Sequence, residues 1–296
     1  MATAVAAAAP PRAAATRRRR LLVPVLLLTP VMLLIGYAFL LPLLTFLEYS
    51  FYRFEGGRLI QDFSAATYLR FLTDDYYHLV VLDTLVMAGL VTLCSVAIGY
   101  PLAYALWRIE RPALQRWLGL VVFSPILVSV VVRSYGWTVL LADQGPINYV
   151  LMGLGLVSEP FELVYNLTGV VISLTHVFLP FVVFPIFGAM LRLDPSLREA
   201  AHDLGAGWWT TFRRVTFPLT LPGVVAGAQI AFTLALGAFV TPAILGGGRV
   251  LVLPLQVYRA TADINWPIAA VGGLALVILA FVAVAAFNRL LKWSEV

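Results

Sequence analysis

Long apolar stretches separated by short polar segments dominate the hydrophobic pattern of the chain. Each stretch is close to or longer than the ~20 residues that a helix needs to cross ~30 Å of hydrocarbon. The runs are continuous rather than alternating, which favours helices over the strands of a membrane barrel. The pattern predicts six membrane-spanning helices, at residues 21–47, 79–106, 117–141, 167–191, 222–245 and 267–290.

The composition excludes a soluble fold. Of 296 residues, 61% are hydrophobic and 12% are charged, against ~25% charged residues in an average soluble domain. The single cysteine, Cys94, excludes an intramolecular disulfide and a cysteine-rich metal site. The net charge of +5 lies in short basic blocks between apolar stretches, where it orients the chain in a membrane rather than binding nucleic acid. We expect an all-α polytopic membrane protein with no metal, cofactor or nucleic-acid partner.

The distribution of basic residues predicts the orientation. Fourteen of the 20 Lys and Arg residues lie at the two ends and in the connections after the second and fourth predicted spans, and five lie in the intervening connections. By the positive-inside rule, both termini are cytoplasmic. Residues 1–20 are then expected to be a flexible basic cytoplasmic tail, 48–78 an extracytoplasmic loop and 291–296 a cytoplasmic end. The outer loops carry nine acidic residues and a net charge of −4, which the same rule makes common in membrane proteins.

The cytoplasmic connection between the fourth and fifth spans contains the start and stop signals of a short helix. Asp194 or Ser196 can cap its N-terminus, Pro195 suits the first helical position, and Ser196 with Glu199 has capping-box spacing. Gly205 can supply the left-handed residue that ends it. We expect about two and a half turns outside the bilayer, with Glu199 bracing the helix by capping its first turn or pairing with a nearby arginine.

The remainder of this connection is expected to be a second short helical turn. It covers Trp208 to Val215 and is ended by Pro218 and Pro222 before the fifth span. In the first helix, Ala200 and Ala201 keep part of the surface narrow, which lets another protein's backbone approach closely.

These residues resemble the signature of the membrane-spanning permease subunits of type I ABC importers. The signature is Glu-Ala-Ala, three residues, Gly, nine residues, Ile, one residue and Leu-Pro. Here it reads Glu199-Ala200-Ala201, Gly205, Val215 and Phe217-Pro218, with Val for Ile and Phe for Leu. The resemblance extends over about residues 79–290, which we expect to form the transmembrane core.

Two further segments resemble the spermidine/putrescine branch of that family. They are Arg133-Ser134-Tyr135-Gly136-Trp137 and Asp143-Gln144-Gly145-Pro146-Ile147-Asn148. The resemblance implies a polyamine as the transported solute. Other small organic cations, amino-acid derivatives and anions remain alternatives, because an extracytoplasmic binding protein makes most of that choice. In the loop at 142–166 we expect a short outer helix where such a protein docks.

The resemblance also implies a mechanism and its partners. In this family the loop helix sits in a groove of a cytoplasmic ATPase subunit, so that closure of two ATPases rotates the membrane helices. The partners implied are two ATPases, a second permease, an extracytoplasmic binding protein and the lipid of a bacterial inner membrane. The chain has one lysine, Lys292, without a glycine-rich approach, so it cannot build a phosphate-binding loop itself. The coupling residues implied are Glu199, Ala200, Ala201, Asp203, Gly205 and Pro218.

Three residues within the spans are candidates for the translocation path. Arg133 lies deep in the third predicted span and Asp83 near the outer end of the second, and intramembrane charge is costly enough to mark function. Snorkelling of Arg133 to the interface and solvation of Asp83 are the alternatives. Pro125 can kink its span and free carbonyl groups to line a path, or merely bend the helix.

Two other classes of function compete with an importer subunit. An ion-coupled secondary transporter needs membrane-embedded carboxylates and often has two similar halves, whereas the spans hold little acid beyond Asp83 and no repeat is evident. A membrane-embedded enzyme is disfavoured because the sequence has neither a Gly-x-Ser-x-Gly nor a His-Glu-x-x-His pattern.

Overall fold

The computed structural model describes residues 12–294, with side chains described from Leu27 to Lys292. The described residues form α-helices, one hairpin, a 3-10 turn at Ser124–Leu127 and a π-helical turn at Phe212–Thr216. The helices are α1 (Arg12–Tyr49), α2 (Ala66–Thr73), α3 (Asp75–Arg108), α4 (Pro112–Phe123), α5 (Val130–Leu141), α6 (Pro146–Gly153), α7 (Leu167–Met190), α8 (Pro195–Asp203), α9 (Trp208–Thr211), α10 (Phe217–Leu236), α11 (Val240–Leu245), α12 (Leu253–Ala262) and α13 (Trp266–Ser294).

The chain divides after Tyr49 into two units, and α1 is described by itself. From Leu27 to Tyr49 this helix is long and apolar enough to cross a membrane. Residues 12–20, which we expected in a flexible tail, are helical, because alanine and arginine have high helix propensity and continue directly into the apolar helix. Residues 1–11 of the expected tail lie outside the described residues.

The second unit contains four more helices that meet the length and hydropathy of a membrane span. They are α3, α7, the continuous stretch Trp208–Leu236 and α13. The observed helices agree with the helices predicted at 79–106, 167–191 and 267–290 to within four residues at each end. Over the described residues the chain therefore has five candidate spans, or six if the broken helix pair described next is counted as one. This agrees with an all-α polytopic fold.

The third predicted span, 117–141, is broken. Pro112–Leu127 and Val130–Gly153 meet at an angle of 101°. The break follows Phe123: Pro125 lies in the 3-10 turn, and Val128 is extended with φ −93° and ψ 135°. Proline lacks a backbone N–H and clashes with the carbonyl four residues earlier, so the helix cannot continue unchanged through it. Hydropathy gave no sign of the break because the residues on both sides are apolar.

The fifth predicted span, 222–245, also has different bounds. α10 begins at Phe217 and ends at Leu236, and α11 is a separate short helix. Between them Gly237 ends α10, and Phe239 leaves the helical region with φ −128°. Glycine is a poor helix former, and the apolar composition on either side of it conceals the end of the helix.

The segment predicted as the outer loop 48–78 is partly ordered into secondary structure. It contains α2 and the hairpin of β1 (Arg53–Glu55) and β2 (Arg58–Ile60), in which Arg53 pairs with Ile60 and Glu55 with Arg58. Among the described residues this hairpin is the one departure from an all-α fold.

Helices α3, α7 and α10 pack closely at the centre of the second unit. Gly223 and Gly227 lie one turn apart on α10 against α7. A Cβ at Gly223 would lie 2.6 Å from Ala189 Cβ, and one at Gly227 would lie 3.0 Å from Val182 Cα. Small residues at this spacing let helix backbones approach within a membrane. The two glycines therefore determine the distance between α7 and α10.

Buried hydroxyl pairs join helices that are distant in the sequence. Tyr100 on α3 bonds Thr220 on α10 across 3.0 Å, and Ser134 on α5 bonds Thr241 on α11 across 3.0 Å. The hydroxyl of Thr84 on α3 accepts a hydrogen bond from Leu253 N–H at 2.8 Å and so satisfies a backbone donor in the first turn of α12. Each bond satisfies a polar group that lipid would leave without a partner.

The variant Gly223→Ala is expected to loosen the α7–α10 contact. Its new methyl group meets both Ala189 Cβ and the Pro185 carbonyl within 2.8 Å, and such overpacking costs about 1–3 kcal/mol. The apparent melting temperature of the purified protein in detergent should fall by several degrees. The control is Gly188→Ala, where a Cβ meets nothing within 4 Å; equal melting temperatures for the two variants would contradict the packing role.

Candidate functional site

The short helix predicted between the fourth and fifth spans is present as α8, and its ends match the sequence signals. The Asp194 side chain accepts a hydrogen bond from Ser196 N–H at 3.0 Å, and Pro195 occupies the first turn. At the other end Gly205 has φ +80°, and Ala206 N–H donates to the Ala201 carbonyl at 3.0 Å. The left-handed glycine satisfies carbonyl groups that the end of a helix otherwise leaves unbonded.

The expected bracing by Glu199 is wrong. Asp194 is the N-cap, so Glu199 is the fifth helical residue rather than the third and is out of register for a capping box. Among the described residues Glu199 has no hydrogen bond or ion pair, and it is exposed. Its carboxylate is therefore available to another molecule.

The cap also lowers the pKa of the Asp194 carboxyl below its ordinary value, because backbone and side-chain hydrogen bonds from Ser196 favour the charged form. A carboxyl whose pKa is lowered in the folded state stabilises that state above its unfolded pKa. The contribution is lost as the pH falls through the folded pKa.

One side of α8 exposes apolar surface. Leu197 is 46% exposed and Leu204 is 89% exposed, and Ala200 between them is exposed as well. These positions are three and four residues apart and lie on one face of a helix. Asp203 is also exposed. An almost fully exposed leucine beside charged residues is typical of a surface that a partner covers.

A cavity of about 620 Å³ separates α8 from the ends of α7 and α10. Leu197 of α8, Arg192 and Asp194 line one part of it, and the small residues Gly188 and Gly223 line another. On this side α8 is not packed against the two spans that precede and follow it.

A set of seven aromatic side chains joins the end of α3 to the segment after α8. We call it the aromatic cluster; its members are Tyr100, Tyr104, Trp107, Trp208, Trp209, Phe212 and Phe217. Phe212 stacks on Trp208 and Trp209, with centroids 5.8 and 5.5 Å away, and meets Tyr104 edge-on at 5.7 Å. Trp208 Nε1 donates to the Tyr104 hydroxyl at 3.2 Å.

Arg198 connects α8 itself to this cluster. Its guanidinium carbon lies 4.9 Å from the ring centroid of Trp107, within the range of a cation–π contact worth about 0.5–1 kcal/mol at an exposed site. Both side chains are half-buried. No motif in the sequence marks Arg198, Trp107 or the other members of the cluster as functional residues, because the two groups that meet are about a hundred residues apart. An unusual density of tryptophan and tyrosine near the ends of two spans was the available signal.

The prolines after α8 do not end a helix as predicted. α9, the π-helical turn and α10 follow one another without a break, with Pro218 in the first turn of α10 and Pro222 inside it. Phe217 N–H bonds the carbonyl of Phe212, five residues earlier. The wider π turn lies immediately before Pro218, which cannot donate the backbone hydrogen bond of a regular helix.

Two of the three path candidates are brought together. Arg133 Nη1 donates to the carbonyl of Pro125 and, at 3.3 Å, to that of Val128. The guanidinium thus bonds the backbone where the third span is broken. Asp83, half-buried on α3, makes no hydrogen bond or ion pair with either residue. Within the described residues no group of three His, Cys, Asp or Glu side chains is placed to hold a metal ion.

Comparison with known proteins agrees with a polytopic transport protein. Residues 14–295 match the family described as binding-protein-dependent transport system inner membrane component. The spermidine/putrescine transport system permease protein PotB of Haemophilus influenzae is 33% identical over 220 residues, covering 74% of this chain and 76% of the relative. The inner membrane ABC transporter permease protein YdcU of Escherichia coli is 32% identical over 279 residues, covering 90% and 88%.

A solved structure has the same fold. A chain of a bacterial ABC transporter involved in the import of the acidic polysaccharide alginate superposes with a TM-score of 0.72 at 18% identity, covering 93% of this chain and 96% of the other. The fold and the helix between two spans define a membrane-spanning transport subunit. The chain belongs to the family of binding-protein-dependent transport system inner membrane components, and it is a permease subunit of an ABC importer.

Removing the cap of α8 is expected to fray its first turn. In Asp194→Ala, amide hydrogen exchange at residues 196–198 should be faster by about threefold or more, because the side-chain acceptor of Ser196 N–H is lost. In the wild-type protein, the protection of these amides relative to their intrinsic exchange rates at each pH should fall in the same way as the pH falls through the lowered pKa of Asp194. The control is Asp203→Ala at the opposite end of α8; if it accelerates exchange at 196–198 equally, the cap is not the cause.

Proposed function

We propose that this permease crosses the membrane six times with both termini in the cytoplasm, counting the broken α4–α5 pair as one span. The distribution of lysine and arginine supports this orientation, with fourteen in the connections assigned to the inside and five in those assigned to the outside. In this orientation α8 is cytoplasmic, and α2, the hairpin and α6 are extracytoplasmic.

The proposed role of α8 is to couple the permease to a cytoplasmic ATPase subunit. The observation that carries this proposal is the combination of a helix capped at both ends with an apolar face left exposed. Ala200 and Leu204 are the proposed apolar contacts, and Glu199 and Asp203 are the proposed polar ones. Ala201 keeps the helix narrow, Gly205 determines where it ends, and Pro218 begins the following span.

Rigidity is the physical requirement on such a helix. Changing a two-state equilibrium from 1:99 to 99:1 needs about 5.5 kcal/mol of differential interaction, and a flexible loop would dissipate it. The Asp194 cap and the Gly205 terminus keep α8 in one conformation. Two ATPases, a second permease and an extracytoplasmic binding protein complete the proposed importer. The alginate relative supports these kinds of partner, since its structure is described in complex with a periplasmic protein.

The proposed solute is a polyamine such as spermidine or putrescine. The support is the permease PotB, whose name includes that transport system. The net charge of −4 on the proposed outer loops is favourable for a cation. The alginate transporter has the same fold and is involved in the import of an acidic polysaccharide. The fold alone therefore does not determine the charge of the solute. Family membership does not favour an ion-coupled secondary transporter.

For the outer side we propose α6 and the loop around it as the docking region of the binding protein. A short helix, α6, is present within 142–166, and the proposed orientation makes it extracytoplasmic. Asn148 is buried and bonds the Ala142 carbonyl and both backbone groups of Phe161, at 2.9–3.1 Å. This amide holds the two ends of the loop together, so that the loop presents a fixed surface.

We propose that Arg133 is a positioning residue of the path. Its bonds to the Pro125 and Val128 carbonyls support the bend between α4 and α5. Lipid tolerates such a break only where backbone groups are satisfied within the protein. Asp83 stays a candidate for the path, with no hydrogen bond or ion pair among the described residues on which to base a role.

Replacing Gly205 by valine is expected to uncouple the importer without preventing insertion. Gly205 has φ +80°, a region that costs an L-residue about 1–2 kcal/mol, so the end of α8 must change. ATPase subunits that co-purify with the tagged permease, and ATP-dependent uptake, should both decline. Glu199→Lys should have the same effect by reversing the proposed polar contact. The matched control for Gly205→Val is Gly207→Val, because Gly207 has φ −67° and a Cβ added there meets nothing within 4 Å. Wild-type co-purification and uptake in Gly205→Val would refute the coupling role.

The solute is tested separately. Cells or vesicles with the complete importer should take up labelled spermidine or putrescine in a vanadate-sensitive manner. An excess of unlabelled polyamine should compete, and an excess of alginate oligosaccharide or methionine should not. ATP-dependent uptake of another solute with no polyamine competition would exclude the polyamine while leaving the importer function intact.

A further inference from the structure

The short connections on either side of α8 do little to fix its position relative to the spans. It is joined to α7 by residues 191–194 and to α9 by residues 204–207, and the second connection contains both Gly205 and Gly207. The cavity described above separates it from α7 and α10. A force applied to α8 would therefore be absorbed by its connections unless side chains tie the helix to a span.

Three side-chain contacts of α8 and its neighbours reach α3. Arg198 lies over Trp107, Trp208 donates to Tyr104, and Thr220 bonds Tyr100. Positions 100, 104 and 107 are four and three residues apart and form one face of the last turns of α3. Of these three contacts, that of Arg198 starts on α8 itself. Among the described residues Arg198 has no acidic partner at ion-pair distance, so the indole is its partner.

We propose that Arg198 is a positioning residue that transmits the displacement of α8 to α3 through Trp107. The inference deepens the proposed function and depends on it. A planar guanidinium on an indole face keeps its charge and holds the two side chains together as they move. α3 is itself packed against α7, since Gly99 leaves only 3.0 Å between a Cβ and Val182. Displacement of α3 is thus passed to the packed centre of the permease.

The chain carries its own reporter for this test. Cys94 is the one cysteine of the sequence and lies half-buried on α3. Its labelling rate with a maleimide reports a change around α3 and requires no knowledge of the solute. The measurement uses the complete importer, purified through a tag on this chain, with and without ATP and vanadate. Labelled subunits are separated on a gel.

ATP and vanadate are expected to change the Cys94 labelling rate in the wild-type complex. In Arg198→Gln and in Trp107→Leu that change should shrink by about two- to fivefold, as expected for loss of one cation–π contact. The double variant should be no worse than either single variant, because both remove the same contact. Arg198→Lys should retain part of the response. Arg213→Gln, an exposed arginine in the same connection without a ring contact, should respond like the wild type.

Four results would overturn the inference. They are a wild-type labelling rate that nucleotide leaves unchanged, a full response in Arg198→Gln, additive losses in the double variant, and loss of the ATPase subunit from Arg198→Gln, which would make Arg198 a docking residue. Each of the first three, obtained while ATPase subunits co-purify and hydrolyse ATP, overturns the α3 route alone. Failure of the proposed function is distinct: no ATPase would co-purify even with the wild-type permease.

Discussion

The structure depends on one constraint: backbone polar groups within lipid must find partners inside the protein. Unbroken helices meet it by themselves. Where a helix is interrupted, a side chain or a change of helix type compensates. Arg133 bonds the carbonyls at the bend of the third span, Thr84 accepts the first N–H of α12, and a π turn precedes Pro218. At these interruptions the protein itself supplies the partners of the freed backbone groups.

Close packing of the central helices makes them suitable for motion as a unit. The glycines on α10 and Gly99 on α3 bring the backbones of three spans against one another, and tightly packed interiors transmit displacement rather than absorb it. At these glycines the helices are too close for one of them to shift independently of its neighbour. A displacement imposed at one end of α3 is shared with α7 and α10.

Two surfaces of α8, the helix in the connection after α7, make different contacts. One surface of α8 is exposed and carries Glu199, Asp203 and Leu204, and on the other Arg198 contacts Trp107 of α3. The caps at its two ends keep α8 helical although it has no buried residues. In this arrangement local hydrogen bonds maintain the helix, and a few side-chain contacts determine what it moves.

The sequence by itself determined the features that rest on local interactions. Helix α1, three further helices of spanning length, the approximate limits of α8 and its Gly205 terminus follow from hydropathy and from the positions of proline and glycine. For the cap of α8, the sequence left a choice between Asp194 and Ser196. Family resemblance in the same short segment identified the class of protein. The sequence placed the fifth span too far along the chain because glycine ended α10 within a stretch that stays apolar.

Only the tertiary structure decided the rest. Pro125 interrupts the third span, but the hydrogen bonds of Arg133 to the carbonyls of Pro125 and Val128 appear only in the folded chain. The same is true of the contact between Arg198 and Trp107. Glu199 lost its expected bracing role because the choice of Asp194 over Ser196 as the cap changed its register. Such contacts depend on how separate helices pack, and hydropathy along one chain contains no information about which residues meet across that packing.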